Sequence, residues 1–166
     1  MNNARLSREH MGLAAEFVVA SELCRRGYYA VVTLGNTPNT DILCSNKAGT
    51  KFVHIQVRTF NPTKKTYSVG KKAEKDYADK FFWVLSGIPS PESNDQFVYF
   101  IIPSKEMADN IKKSHALWLA GKGNTGRTRN DSDIRIVSIP PNKANTGWDI
   151  DKYRNRWDLI DAFLCD

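Results

Sequence analysis

The chain has 166 residues, with 24 Lys and Arg against 18 Asp and Glu, and its net charge is therefore +6. This length predicts a single domain over residues 1–166, and a hydrophobic content of 41% argues against a disordered, collagen-like or coiled-coil protein. The three cysteines form no paired framework. Because no apolar run reaches about 18 residues and no secretory leader is visible, we expect a cytoplasmic protein without a membrane segment.

The first part of the chain predicts one helix followed by three strands. Ser7 can cap a helix that ends near Arg26, because Gly27 follows there. The apolar residues of this helix recur at helical spacing and predict one buried stripe, made of Leu13, Phe17, Ala20, Leu23 and Cys24. Three runs rich in strand-forming residues come next, at positions 28–34, 41–45 and 51–59.

Strands and helices alternate along the rest of the chain. A lysine-rich, weakly helical stretch at 71–80 leads into apolar strands at 81–86 and 97–102. A helix over 104–120, a strand over 134–139 and a helix over 151–164 complete the pattern. This order predicts an α/β fold with a mixed central β-sheet flanked by α-helices. We assign Trp118, Trp148 and Trp157 to its core.

One acidic residue of the first helix lies where the pattern calls for an apolar one. At 100° per residue, Glu16 falls between Ala20 and Leu23 on the apolar stripe. A buried carboxylate is costly unless a cation or hydrogen bonds compensate it. Glu16 is therefore a candidate site residue. The alternative is that it lies at the border of the stripe and reaches solvent or pairs with an arginine.

Two further polar features follow in the next strands. Asp41 opens the second strand although Asp is a poor strand former, and His54, Gln56 and Arg58 share one face of the third strand. Asp41 could simply end the preceding turn, and the polar face of the third strand could simply face solvent. Hairpin geometry nevertheless brings Gln56 and Arg58 near the start of the second strand, where Asp41 lies.

Taken together, these segments resemble the PD-(D/E)xK nuclease superfamily. The resemblance rests on Gly12 and Glu16 in the first helix, on the TDIL sequence at 40–43 and on the IQVRT sequence at 55–59, and it covers about residues 8–86. The layout is similar to that of archaeal Holliday-junction resolvases. It implies a restriction-endonuclease-like core and a metal-dependent endonuclease that hydrolyses phosphodiester bonds of double-stranded or branched DNA. Because relatives are often dimers, a homodimer is one arrangement that it allows.

The resemblance also implies a catalytic site and its cofactor. The catalytic residues would be Glu16, Asp41, Gln56 and Arg58. The metal ligands would be Glu16, Asp41, the side-chain carbonyl of Gln56 and the backbone carbonyl of Val57. An all-oxygen ligand set suits Mg²⁺ or Mn²⁺ rather than Zn²⁺.

This sequence departs from the family pattern at two of these positions. Gln56 replaces the usual glutamate and Arg58 the usual lysine. Arginine stays protonated and cannot act as a general base, although it can bind a phosphate. The alternative is therefore a catalytically weakened or inactive nuclease-fold domain that binds nucleic acid or a protein partner. A third interpretation is an unrelated α/β interaction protein in which Glu16 and Asp41 are structural.

Two basic segments are candidate contacts for nucleic acid. The first follows the third strand, where residues 61–86 carry a net charge of +3, and its proposed phosphate contacts are Lys64, Lys65, Lys71, Lys72 and Lys75. The second surrounds a glycine-rich loop at 121–126 and includes Lys112, Lys113, Lys122, Arg127 and Arg129. For this second segment we favour an ordinary surface loop.

Overall fold

The computed structural model describes residues 7–33, 37–123 and 126–165 of the chain. These residues form three α-helices, two short 3₁₀ helices and seven β-strands. The helices are α1 (Arg8–Arg25), α2 (Ser104–Ala120) and α3 (Asp158–Leu164), and the 3₁₀ helices are Lys71–Glu74 and Ile150–Tyr153. The strands are β1 (Tyr29–Val32), β2 (Ile42–Ser45), β3 (Phe52–Phe60), β4 (Thr66–Ser68), β5 (Phe81–Gly87), β6 (Val98–Pro103) and β7 (Ile136–Ser138).

The centre of the fold is a five-stranded sheet in the order β1-β2-β3-β5-β6. β3 and β5 are parallel, whereas the other neighbouring strands are antiparallel. Helices flank this mixed sheet, which confirms the predicted α/β fold class. β4 and β7 form a separate two-stranded ribbon that the sequence pattern did not predict as a pair.

The two faces of the sheet bury different sets of residues, because side chains alternate along each strand. On one face, Val53, Ile55 and Val57 of β3 pack in a core with residues of α1 and α3. On the other face, Phe60 of β3 and Trp83 of β5 pack in a second core with residues of α2 and β7. β3 therefore contributes to both cores, and of its polar residues Gln56 is buried whereas Arg58 and Thr59 are partly exposed.

The buried face of α1 differs from the predicted stripe. Leu13 and Phe17 are 50% and 60% exposed, and Cys24 is also exposed. Ala20 and Leu23 of the predicted stripe are buried as expected, and Ala15 and Val19 are buried with them. Because α1 carries apolar residues on both sides, periodicity alone selected a face that is rotated from the buried one. Small side chains on the inner face let the helix lie close to the sheet.

The end of the chain also differs from its prediction. The expected helix over 151–164 is divided into a 3₁₀ turn and α3, and Asn155 between them has a φ angle of 53°. The Asn155 N–H donates to the carbonyl of Tyr99 on β6 (2.9 Å), so contact with the sheet interrupts the helix. Trp148 and Trp157 are buried as predicted, but Trp118 is 40% exposed and the core assignment was wrong for it.

Two predicted features reach beyond the described residues. The end of the first predicted strand, at Leu34, lies outside them, as does the middle of the glycine-rich loop, at Asn124 and Thr125. Within the described part of the chain, the helices are too short or too polar to cross a membrane.

Candidate active site

Asp41 is fixed between two strands by its own backbone. Its N–H donates to the carbonyl of Ile55 in β3 (2.9 Å), and its carbonyl accepts the N–H of Thr33, which follows β1 (2.9 Å). The Thr33 hydroxyl also donates to the carbonyl of Thr40 (2.6 Å). Asp41 is therefore part of the strand network rather than a loose turn residue, and its side chain has a defined direction.

The carboxylate of Asp41 is directed at β3. Its Oδ2 accepts the backbone N–H of Val57 (2.7 Å) and an N–H of the Gln56 side-chain amide. The pairing of β2 with β3 ends at Ile42 and Ile55, so the carboxylate satisfies a strand N–H that β2 no longer reaches. Gln56 is only 4% exposed, and a buried amide of this kind needs such a partner.

Arg58 lies against the same cluster. Its Nη1 donates to the carbonyl of Val57 (3.0 Å) and is 3.9 Å from Oδ2 of Asp41. Its guanidinium carbon is 5.8 Å from the centre of the Trp83 ring, close enough for a cation–π contact. The structure thus brings together Asp41, Gln56, Val57 and Arg58, four of the five residues predicted for the site.

Glu16, the fifth residue, enters from α1. Arg8, Gly12 and Glu16 are spaced by four residues and line one wall of a cavity of about 370 Å³. Val57, Arg58 and Thr59 of β3 form another wall, and residues 67–70 a third. The Thr59 hydroxyl donates to the carbonyl of Met11 (3.1 Å) and ties this end of α1 to β3. A methyl group at Gly12 would meet no atom within 4 Å, so Gly12 borders open space rather than a closely packed segment.

The two carboxylates influence each other electrostatically. Burial raises the pKa of Asp41, while the Val57 N–H, Arg58, Gln56 and Lys72 lower it. Burial also raises the pKa of Glu16, the charge of Asp41 raises it further, and Arg58 lowers it. Two acids with raised pKa values beside one cavity are typical of a site that holds a proton or a cation.

The donor groups suit a hard cation only in part. Glu16 and Asp41 supply carboxylate oxygens of the kind that Mg²⁺ and Mn²⁺ prefer. However, the Gln56 amide turns its nitrogen toward Asp41, and the Val57 carbonyl accepts Arg58. A cation held by all four predicted ligands would require the amide to turn and Arg58 to move. Among the residues that the structure describes, no group of three or more His, Cys, Asp and Glu side chains is arranged to hold a metal.

The predicted lysine contacts lie at different places around the site. Lys72, two residues after the cavity residue Gly70, carries a charge that lowers the pKa of Asp41. Lys71 instead lies 3.7 Å from Asp131, and Lys75 lies over the ring of Tyr77 (5.0 Å). Lys64 and Lys65 are exposed in the connection from β3 to β4.

The sequence reasoning did not include Arg8 in the site. Arg8 lines the cavity together with Gly12 and Glu16. The sequence signal for Arg8 is its spacing, because residues four apart, such as Arg8, Gly12 and Glu16, lie on one side of a helix.

Comparison with known proteins identifies the fold. No protein-family model and no curated protein matches the chain. Among solved structures, the chain is similar to the bacterial homing endonuclease I-Ssp6803I, with a TM-score of 0.56, 93% of each chain covered and 12% sequence identity. The two chains share a fold. At this identity the likeness concerns the α/β architecture and leaves the chemistry to the residues themselves.

Proposed function

We propose that the chain is a metal-dependent endonuclease of the PD-(D/E)xK type that hydrolyses DNA phosphodiester bonds. The observation that carries the proposal is the meeting of Asp41 with Gln56, Val57 and Arg58 beside the cavity that Glu16 lines. Glu16 of the helix shares this cavity with Val57 and Arg58, two β3 residues that also contact Asp41. The fold shared with a homing endonuclease supports the same interpretation.

The two carboxylates would hold the metal ion, because both are partly buried and the charge of Asp41 disfavours ionisation of Glu16 unless a cation is also present. When bound, Mg²⁺ or Mn²⁺ lowers the pKa of a coordinated water and stabilises charge on the phosphate. The raised pKa values of Glu16 and Asp41 fit this role, since a cation would replace the proton that burial favours.

Arg58 would bind the phosphate that is cleaved. Its guanidinium is permanently charged and can donate two parallel hydrogen bonds to phosphate oxygens. It would therefore stabilise the charge that develops in the transition state, and it would not accept a proton. Arg8 and Lys72 add positive charge at or near the same cavity, where neighbouring phosphates of the DNA would lie.

A second function is favoured by one specific observation. The Gln56 amide and the Arg58 guanidinium already occupy Asp41 and the Val57 carbonyl with hydrogen bonds inside the protein. These bonds would suit a nuclease-fold domain that binds nucleic acid or a protein partner without cleaving it. Such a domain would keep its DNA affinity in the presence of a chelator.

A plasmid-nicking assay with Mg²⁺ or Mn²⁺ tests the proposal. We expect the wild-type chain to nick supercoiled DNA and both Asp41→Asn and Glu16→Gln to lose this activity. Glu9→Gln is the matched control, because Glu9 is an exposed acid on the same helix, and it should retain activity. If the wild type binds DNA but cleaves none with either ion, the binding function is correct instead.

The Arg58→Lys variant measures how far the site departs from the family pattern. Lysine keeps the positive charge but presents it as a compact ammonium group without the planar fork. A higher nicking rate in the variant would identify the natural sequence as a weakened enzyme. A lower rate would show that the enzyme uses the guanidinium itself.

A further inference from the structure

A second concave surface lies between α2 and β7. It is a groove of about 420 Å³, and its walls include Ile111 and Trp118 from α2 and Ile134 and Ile136 from the β7 segment. The β4–β7 ribbon separates it from the proposed active site, because β4 residues line the acidic cavity while β7 residues line the groove. The proposed nuclease chemistry makes no use of this groove.

Its large apolar side chains are exposed to an unusual degree. Trp83, Trp148 and Trp157 are 1%, 7% and 2% exposed, whereas Trp118 is 40% exposed. Across the groove, Ile134 is 58% and Ile136 45% exposed. Contiguous apolar surface of this kind marks binding sites more often than ordinary solvated surface.

Trp118 is also held in one orientation. The His115 ring stacks on it with a centroid distance of 5.5 Å and an interplanar angle of 19°. The Arg129 guanidinium lies 4.9 Å from its ring centre and donates to its backbone carbonyl (2.6 Å). His115 in turn contacts Asp131 (2.8 Å). An aromatic surface that is fixed before binding loses little freedom when a ligand packs on it.

The surroundings of Trp118 are positively charged. After α2 the chain folds back, with Lys122 bridged to Thr128 and the Gly123 N–H donating to the carbonyl of Arg127 (2.9 Å). Lys122 and Arg127 are exposed there.

Two acids, Asp131 and Asp133, flank the groove residue Ser132. Asp133 is exposed, whereas Asp131 is already engaged by cations. Asp131 lies 3.3 Å from Arg135 and 3.7 Å from Lys71, in addition to its contact with His115. Residues 101–135 as a whole, which include both of these acids, carry seven basic and four acidic side chains. A ligand with an apolar planar part and a negative charge therefore fits this surface.

We infer that the groove binds a base of single-stranded nucleic acid. The base would lie against the two isoleucines and the part of the Trp118 ring that His115 and Arg129 leave exposed. The flanking phosphates would face Lys122 and Arg127. Ser132 and Asn145 at the groove supply polar groups for the edge of the base. Lys122 and Arg127 thus become contacts for unpaired strands, separate from the contacts at the acidic cavity.

Tryptophan fluorescence offers a direct test, because Trp118 is the exposed one of the four tryptophans. The probe is an eight-nucleotide thymidine strand, titrated with a chelator present so that no metal site contributes. We expect the strand to quench the fluorescence of the wild type saturably. By fluorescence anisotropy of a labelled strand, Trp118→Ala should bind about tenfold more weakly, because it loses one contact between a base and an aromatic ring. Trp118→Phe should retain most of the affinity, and abasic strands should bind the wild type as weakly as thymidine strands bind Trp118→Ala.

Two control variants separate this groove from the rest of the surface. Tyr29→Ala removes a more exposed aromatic ring from β1, where Tyr29 is 60% exposed, and should bind as the wild type does. Phe17→Ala removes an exposed ring from α1 and should also bind as the wild type does. Because a chelator is present, a failure of the nuclease proposal leaves this test unaffected.

Three results would overturn the inference. They are unchanged affinity in Trp118→Ala, equal affinity for abasic and normal strands, and binding of thymidine monophosphate as tight as that of the strand. If circular dichroism shows that Trp118→Ala is unfolded, Ile136→Ala probes the opposite wall of the same groove. Unchanged affinity in that folded variant would likewise reject the inference.

Discussion

Replacing Arg58 by glutamine should strengthen metal binding while it weakens cleavage. The guanidinium lies 3.0 Å from the Val57 carbonyl and 3.9 Å from Asp41, so it competes with a cation for two of the proposed ligands. Unit charges about 4 Å apart interact by about 1 kcal/mol in water and about 4 kcal/mol at a protein surface. Because the Arg58 side chain is 31% exposed, we take the lower figure, which corresponds to about fivefold in affinity.

Isothermal titration calorimetry with Mn²⁺ measures this change. Arg58→Gln should bind Mn²⁺ about fivefold more tightly than the wild type, whereas nicking should fall by about a hundredfold, the usual cost of losing one donor to the developing charge. Arg25→Gln is the control, because Arg25 is an exposed arginine of α1 that pairs with Glu22 instead. Unchanged or weaker Mn²⁺ binding in Arg58→Gln would refute the competition and, with it, the assignment of Asp41 and Val57 as ligands.

Three further predictions follow from the same contacts. Because the folded-state pKa of Asp41 is raised, the metal-free wild type should lose stability as pH rises through that value. Asp41→Asn lacks this titrating group. Urea unfolding should therefore show the free energy of unfolding of Asp41→Asn increasing relative to that of the wild type from about pH 4 to pH 7. Mn²⁺ binding should release protons, and it should weaken as pH falls through the raised pKa values of Asp41 and Glu16. Calorimetry in several buffers detects the proton release, and its absence would contradict the raised pKa values. Thr59→Val should lower the free energy of unfolding by about 1 kcal/mol through loss of its bond to Met11, and unchanged stability would show that this bond does not hold α1.

Local patterns predicted much of this architecture. α2 begins at Ser104 and ends at Ala120, as its periodicity predicts, because its buried residues Met107, Ala108 and Ile111 follow the helical repeat. β3 also follows its alternation, with Val53, Ile55 and Val57 buried on one face. In both elements the spacing of apolar and polar residues is enough to predict whether the segment is a helix or a strand.

Other features depend on distant partners and left no local signal. β4 has only three residues, and its partner β7 lies about seventy positions further along the chain. The break before α3 depends on the contact of Asn155 with Tyr99 on β6. At the candidate site, the sequence predicted that Asp41 lies near Gln56, but it could not indicate which atom of the amide faces the carboxylate or that Arg58 binds the Val57 carbonyl.

The hydrogen bond from the Val57 N–H to Asp41 has a practical consequence for solution studies. The shift of an amide proton is sensitive to the charge of the carboxylate that accepts it. The nuclear magnetic resonance signal of this one amide should therefore move when Asp41 is protonated, when a cation binds to it, and when Asp41 is replaced by asparagine. A backbone resonance in the middle of the sheet thus becomes a reporter of events at a side chain, and it can be read without any substrate.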